Sequence, residues 1–174
     1  MGREPFEAVV AAHHREIYRY LRRVTFRASD AEDLSQEAFL RAFRAYRGLD
    51  GNANVRAWLF TIATNLFRNH VRAESRRRVA HASARSVAVH ADPQDPETAT
   101  LVDEARAILA QAVDGLPLKQ RLAFVMRKLH DLSYDEIARG LQCSEDAARA
   151  HVFQAFRKIR RALDGRPLPS QETR

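Results

Sequence analysis

The chain has 174 residues, 45% of them hydrophobic, with six Gly, six Pro, nine Phe and a single Cys. That length holds one ordinary domain or two small ones, and the apolar content excludes wholesale disorder, while one cysteine excludes an internal disulfide and fits a reducing compartment. The formal charge of +7 points to a polyanionic partner, although basic balance alone is common among small soluble proteins. No apolar run approaches the roughly 20 residues of a membrane span. The opening MGREPFEAVVAAHH carries acids and only a short apolar run, so neither a signal peptide nor stable membrane insertion is expected. A cytoplasmic protein is the expectation.

In chain order, Phe6, Val9, Val10, His13, Ile17, Tyr20, Leu21 and Val24 recur at helical spacing and predict a first amphipathic helix. SDAE, with Ser29 as N-cap and Glu32 three residues on, reads as a capping box opening a second helix that runs to about Tyr46. Its core stripe is Leu34, Ala38, Ala42 and Ala45. GLDGNAN at 48–54 reads as a loop. A third helix begins near Val55, with an apolar stripe of Val55, Trp58, Leu59, Ile62, Ala63, Leu66 and His70. Thr61, Thr64, Asn65, Arg68 and Arg72 form the opposite, polar stripe. From about Arg76 the periodicity fails, and the stretch to the Asp95-Pro96 N-cap signal reads as a flexible linker. Its reach is at most about 65 Å. Leu101, Ala105, Ile108, Leu109, Ala112 and Leu116 make the next stripe, broken at Gly115-Leu116-Pro117. A helix from Pro117 to Leu129, the turn HDL, and a second capping box in SYDE (Ser133 and Glu136) follow. The last helix is capped by Ser144, with Glu145 and Asp146 against its N-terminal dipole. The prediction is an all-α protein of two small helical domains, 1–78 and 96–166, joined by a linker at 79–95 and followed by a tail at 167–174.

Three constellations carry chemistry. The two short capped helices at 133–161 have the spacing of a helix-turn-helix, the second being basic toward its end, although a plain helical hairpin has the same spacing. Arg68, Arg72 and Arg76 are four apart and continue into Arg77 and Arg78. That run is either a solvated helix end or, with Asn65 and Thr61 on its face, a nucleic-acid surface. In DAEDLSQEAFLRAFRAY (30–46), Asp33, Gln36, Glu37 and Leu40 share one side, with Phe39, Phe43 and Tyr46 beside them. This aromatic stripe is a second core face or a protein docking surface.

Catalysis finds little support. The seven His have no metal-ligand spacing, and no Gly-rich phosphate loop or paired-carboxylate acid/base site is present in the sequence. His13 and His70 read as core histidines. No enzyme activity, cofactor or metal is expected.

In this order the three constellations resemble the extracytoplasmic-function (group 4) sigma factors of bacterial RNA polymerase. DAEDLSQEAFLRAF resembles the family's polymerase-docking helix. VRAWLFTIATNLFRNHVRAESRRR resembles the adjoining helix that melts and reads the promoter −10 element. LPLKQRLAFVMRKLHDLSYDEIARGLQCSEDAARAHVFQAFRKIR resembles region 4, whose helix-turn-helix reads the −35 element. The resemblance covers roughly 10–78 and 97–163. It implies that Asp33, Gln36, Glu37 and Phe43, with Phe39 and Leu40 close by, meet the β′ coiled coil of core polymerase. It implies that region 4 meets the β flap. The loop Gly48–Asn54, including Asn52 and Asn54, would cradle a base flipped from the −10 strand. Asn65 would contact that strand, with Trp58, Thr61, Arg68, Asn69 and Arg72 near it. On the last helix, Ser144, Arg149, His151 and Gln154 would face −35 DNA, followed by Arg157, Lys158 and Arg161. An anti-sigma factor is an expected further partner.

The sequence departs from this pattern where the family commonly carries Thr-Val and Ser-Arg. Here Ala147-Ala148 and Ala150-His151 stand instead. The loss of a basic residue at 151 removes a phosphate or guanine contact, and a base-reading arginine carries about 1–3 kcal/mol of discrimination. The −35 preference is therefore expected to be weaker or different. Two competing readings remain: a stand-alone helix-turn-helix regulator, and an adaptor using the 30–46 face without DNA. The docking helix discriminates, because a free-standing regulator has no use for Asp33, Gln36 and Glu37 beside Phe39 and Phe43.

Overall fold

A computed structural model describes residues 4–25, 27–81 and 101–164. Among these residues the secondary structure is helical throughout. The elements are α1 (Phe6–Val24), α2 (Ala28–Tyr46), α3 (Val55–His81), α4 (Leu101–Asp114), α5 (Leu118–Leu129), α6 (Tyr134–Leu141) and α7 (Glu145–Leu163). The chain divides into two compact units, with α1 to α3 in the first and α4, α5 and α7 in the second. The all-α, two-unit expectation holds.

In the first unit, α1 packs on both α2 and α3, and α2 packs on α3. Val9, Ile17, Tyr20, Leu21 and Val24 of α1 are buried, as the helical period of the sequence requires. Small residues of α2, among them Ala31, Ser35, Ala38 and Ala42, are also buried and let the helices approach closely. A polar contact crosses this core: the Tyr20 hydroxyl and Thr64 Oγ1 lie 2.8 Å apart. On the flank, Arg56 grips Glu16 with a two-pronged contact, Nε to Oε2 at 2.9 Å and Nη2 to Oε1 at 2.6 Å. That fork fixes the first turn of α3 on α1.

Several expectations are corrected here. No side chain caps α2: Arg27 is its N-cap in extended conformation, and Ser29 lies inside the first turn. The helix starts earlier because the Thr25 hydroxyl bonds both the Leu21 and Arg27 carbonyls, at 2.8 and 3.2 Å, and makes the α1–α2 corner tight. Ala45 is exposed, and Phe39 and Tyr46 join the α2 core in its place. On α3 the two faces do not divide as the sequence reading has it. Thr64 is fully buried, because Tyr20 satisfies its hydroxyl, and Arg68 is buried too. Trp58, Ile62 and His70 are only half-buried, and Phe60 and Phe67 take the core. The helix also runs on to His81, past Arg76, since Arg76–Arg78 are adequate helix formers even without an apolar period. His13 is half-buried rather than a core residue, and His70 faces Asp30 with Nε2 3.6 Å from the carboxylate. The Asp95-Pro96 signal and the tail lie outside the described residues.

In the second unit, α7 packs on α4 and α5 through Ala148, Val152, Ala155 and Ile159. α4 buries Ala112 and Val113, and Leu116 follows it into the core, whereas Ile108 and Leu109 of the expected stripe are exposed. Pro117, where the sequence reading starts the helix, is the N-cap of α5, which begins at Leu118. The SYDE capping box is formed reciprocally. Ser133 N–H donates to Glu136 Oε2 at 2.7 Å, and Glu136 N–H donates to Ser133 Oγ at 3.3 Å. The turn between α6 and α7 passes through Gln142 at φ 53°, and Ser144 Oγ accepts from Ala147 N–H at 3.2 Å.

Candidate functional site

Three surfaces are built by these elements. The first is the outward side of α2. Its buried side leaves Asp33, Gln36, Leu40 and Phe43 exposed, with Glu37 half-buried and bonded to Arg41 at 2.6 Å. Leu40 is 51% and Phe43 58% exposed, which is high for apolar side chains in mid-helix. Phe43 is not adrift: its ring meets Phe6 edge-on at 5.4 Å, and Phe6 meets Tyr46 at 5.2 Å. Phe39 does not belong to this surface. It is 8% exposed and packs against the His14 ring at 5.5 Å.

The second surface runs from the 48–54 loop along α3. Asp50 Oδ1 accepts from Asn52 N–H at 2.8 Å, a local Asx turn that shapes the loop. Asn54 is the N-cap of α3: its Oδ1 accepts from Ala57 N–H at 3.0 Å. That carboxamide oxygen is therefore engaged in the helix start. Trp58, Thr61 and Asn65 are half-exposed, and Asn69, Arg72 and Arg76 continue the stripe in the open. Thr61 Oγ1 donates back to the Ala57 carbonyl at 3.0 Å. Arg68 lies on the same side of α3 by helical spacing but is buried, so the exposed part of the stripe takes in Asn69.

The third surface is α7. Arg149, Ala150, Phe153, Gln154, Arg157 and Arg161 are exposed, while Lys158 is half-buried. Phe153 is 67% exposed at the middle of the face, and no reading of the sequence singled it out. The signal was present, since Phe153 lies four residues from both Arg149 and Arg157 and so must share their stripe. Gln154 is engaged: its Oε1 accepts from Gln120 Nε2 at 2.7 Å. Ser144 is engaged as a cap. His151 is turned partly inward, its Nδ1 buried without a partner. Burial holds its pKa below the ordinary 6.5, and the positive charge of Lys119 adds to that. Arg149 pairs with Glu145 along the helix and lies over the Tyr134 ring, 4.7 Å from its centroid. The three alanines, Ala147, Ala148 and Ala150, do different work: Ala148 is buried in the packing, and Ala150 is exposed beside Phe153.

These surfaces map onto two known domains in order. Sigma-70 region 2 matches residues 9–77, and sigma-70 region 4 matches residues 106–159. The RNA polymerase sigma-H factor of Pseudomonas aeruginosa is 33% identical over 165 residues, covering 91% of this chain and 86% of the relative. The chain belongs to the extracytoplasmic-function group of the sigma-70 family. The ECF RNA polymerase sigma-E factor of Escherichia coli K12 is 31% identical over 149 residues, covering 82% of this sigma factor and 76% of the relative. Among solved structures, the sigma factor RpoE in complex with the anti-sigma factor NepR from Bartonella quintana matches with a TM-score of 0.75 at 21% identity. It covers 91% of this chain and 96% of that one. CnrH in complex with the cytosolic domain of CnrY matches with a TM-score of 0.64 at 23% identity, over 92% and 88% of the two chains.

As a sigma factor the chain directs promoter-specific initiation by RNA polymerase, with α1 to α3 in region 2 and the helix-turn-helix of α6 and α7 in region 4. A stand-alone regulator is not favoured, since region 2 accounts for the first unit as region 4 accounts for the second. Among the described residues no cluster of His, Cys, Asp and Glu could hold a metal ion, and no helix is long and apolar enough to cross a membrane.

Proposed function

We propose that this sigma factor divides its work among the three surfaces. The outward side of α2 docks on the β′ coiled coil of core polymerase through Asp33, Gln36, Glu37, Leu40 and Phe43. Asn52 with Trp58, Thr61, Asn65, Asn69 and Arg72 captures the −10 strand. Polar side chains beside an aromatic suit a flipped base, and the arginines suit its backbone. α7 reads the −35 element through the stripe of Ala150, Phe153 and Gln154, while Arg157 and Arg161 hold phosphates. Phenylalanine contacts thymine methyls, and glutamine pairs with adenine. Asn54 and Ser144 serve this work as helix caps. The chain supplies address and strand opening, and the chemistry belongs to the polymerase, so it has no enzymatic activity of its own.

The observation that carries this reading is the exposure of Leu40 and Phe43 next to Asp33 and Gln36 on one helix face. Such a face suits a protein partner and has no role in a protein that only binds DNA. An anti-sigma factor competing for the same face, and a cytoplasmic setting, belong to the proposal, supported by the anti-sigma complexes of the two structural relatives. The experiment is run-off transcription with purified chain, core polymerase and a fragmented genomic template. Promoter-selected transcripts that need the chain are expected. Failure to bind core polymerase would overturn the reading.

A further inference from the structure

Arg56 stands in the first turn of α3, directly after the 48–54 loop, and reaches back across the first unit. Its fork meets both carboxylate oxygens of Glu16 on α1, at 2.9 and 2.6 Å, and its guanidinium lies over the Phe60 ring, 5.4 Å from the centroid. Phe60 is fully buried, and its ring meets that of Tyr20 at 5.0 Å. The pair is therefore seated on the core between α1 and α3, with its two side chains only 34% and 30% exposed. The loop beside it is shaped by shorter-range bonds. Ala53 N–H donates to the Asp50 carbonyl at 3.0 Å, Asn52 N–H donates to Asp50 Oδ1, and Trp58 N–H donates to the Asn54 carbonyl at 3.0 Å. Those bonds set the form of the loop and of the helix start, but not where they stand against α1. A two-pronged contact to a residue 40 positions earlier sets both distance and angle, which a single point charge does not.

We propose that Glu16 and Arg56 are positioning residues for opening of the −10 element. The fork holds the 48–54 loop and Trp58 at a fixed height and angle, so that a base leaving the duplex meets Asn52 without the loop first having to be ordered. Neither residue touches DNA. Glu16 neutralises the guanidinium, and Phe60 lies beneath it, so Arg56 acts through the loop it anchors and not as one more cation on the strand. This positioning role rests on the reading of the loop and α3 as the surface that captures the −10 strand.

The test uses holoenzyme assembled from core polymerase and the full chain, on a promoter that wild-type holoenzyme selects from genomic fragments. The rate of opening is read from permanganate reactivity of unpaired thymines, and binding before opening from complexes trapped in the cold. Glu16→Gln removes the charge of the acceptor, and Arg56→Lys keeps the cation but loses the fork. Each is expected to slow opening about three- to five-fold, the scale of a half-exposed ion pair. Core polymerase binding and the cold-trapped affinity should not move. The double variant should open no more slowly than the slower single, as coupled residues require. A direct phosphate contact by Arg56 predicts the opposite sign: Glu16→Gln would release the guanidinium and tighten the cold-trapped complex, which would overturn the positioning role. Thr64→Val, which breaks the Tyr20 contact in the same core, separates positioning from general stability. It should lower urea stability at least as much as the fork variants yet open the promoter at the wild-type rate. Opening slowed equally by Thr64→Val, or unchanged in both Glu16→Gln and Arg56→Lys, would also overturn the role. If wild-type holoenzyme leaves no unpaired thymine near −10, the strand-capture reading itself falls and takes the positioning role with it, a different result from opening that ignores Glu16.

Discussion

α2 and α7 are both 19-residue helices that bury one side largely through small and aliphatic residues, yet their outward sides differ in kind. α2 presents Asp33, Gln36, Leu40 and Phe43, while α7 presents Arg149, Phe153, Arg157 and Arg161. Each exposes a phenylalanine, but the exposed charges of α2 are acidic at Glu32 and Asp33 and basic at Arg41 and Arg44, whereas those of α7 after Asp146 are basic. The aromatic offers contact area in both, and under the proposed division the mixed charge of α2 suits a protein surface and the basic charge of α7 suits nucleic acid. The largest expected effects come from breaking this division. Replacing Leu40 and Phe43 together by Ala should weaken core polymerase binding by about thirty-fold or more, the scale of an interface hot spot. Helicity should be unchanged, because both side chains are exposed. The binding is measured with labelled chain and core polymerase, and equal affinity for wild type and variant would remove α2 from the docking role.

The matching change on α7 is smaller and of a different character. Arg157→Ala with Arg161→Ala should lower DNA affinity of the holoenzyme roughly ten-fold at moderate salt and flatten the salt slope by about two. Core polymerase binding should not move. Loss of core binding instead of DNA binding would show that the two helices do not divide the work.

The two helices also differ in how well their starts could be read. Ser144 sits before an acidic first turn and a clear apolar period, and it caps α7 as the pattern indicates. Ser29 has the same local signature, but Thr25 closes the corner before it and α2 starts at Ala28. A capping pattern reports local preference, and a hydroxyl from the preceding helix overrode it. Ser144→Ala should therefore cost about 1 kcal/mol of stability in urea unfolding, and Ser29→Ala only a few tenths, as for an ordinary surface position. Equal costs would restore the capping box.

The same contrast explains what else was legible. Helix positions, the 48–54 loop and the helix-turn-helix spacing followed from period and turn chemistry, which are local. The Thr64 hydroxyl is met by Tyr20, 44 residues away, and the buried Phe39 packs against His14 of α1. Neither contact can be seen from one helix's own pattern. At the candidate sites, exposed stripes could be read from spacing. The engagement of Gln154 and Arg149 by neighbouring groups could not, because Gln120 and Tyr134 reach them from other helices.

The smallest effect separates the two sides of α7 itself. His151 lies at its boundary, half-buried with Nδ1 enclosed, and burial together with Lys119 holds its pKa below 6.5. Between that lowered value and 6.5 the unfolded chain binds a proton that the folded chain refuses. Stability therefore rises with pH across this window and is flat above it, and the contribution is lost as pH falls below 6.5. At neutral pH the ring is mostly uncharged, so the exposed arginines and Lys158 set the positive charge of this side of α7 without it. NMR titration of the imidazole in the full chain should give a midpoint below 6.5, and Lys119→Met should raise it part of the way back, because burial remains. A midpoint at or above 6.5 would mean that the ring faces outward with the arginines. His151 would then belong to the DNA-reading side of α7 and not to the packing beneath it.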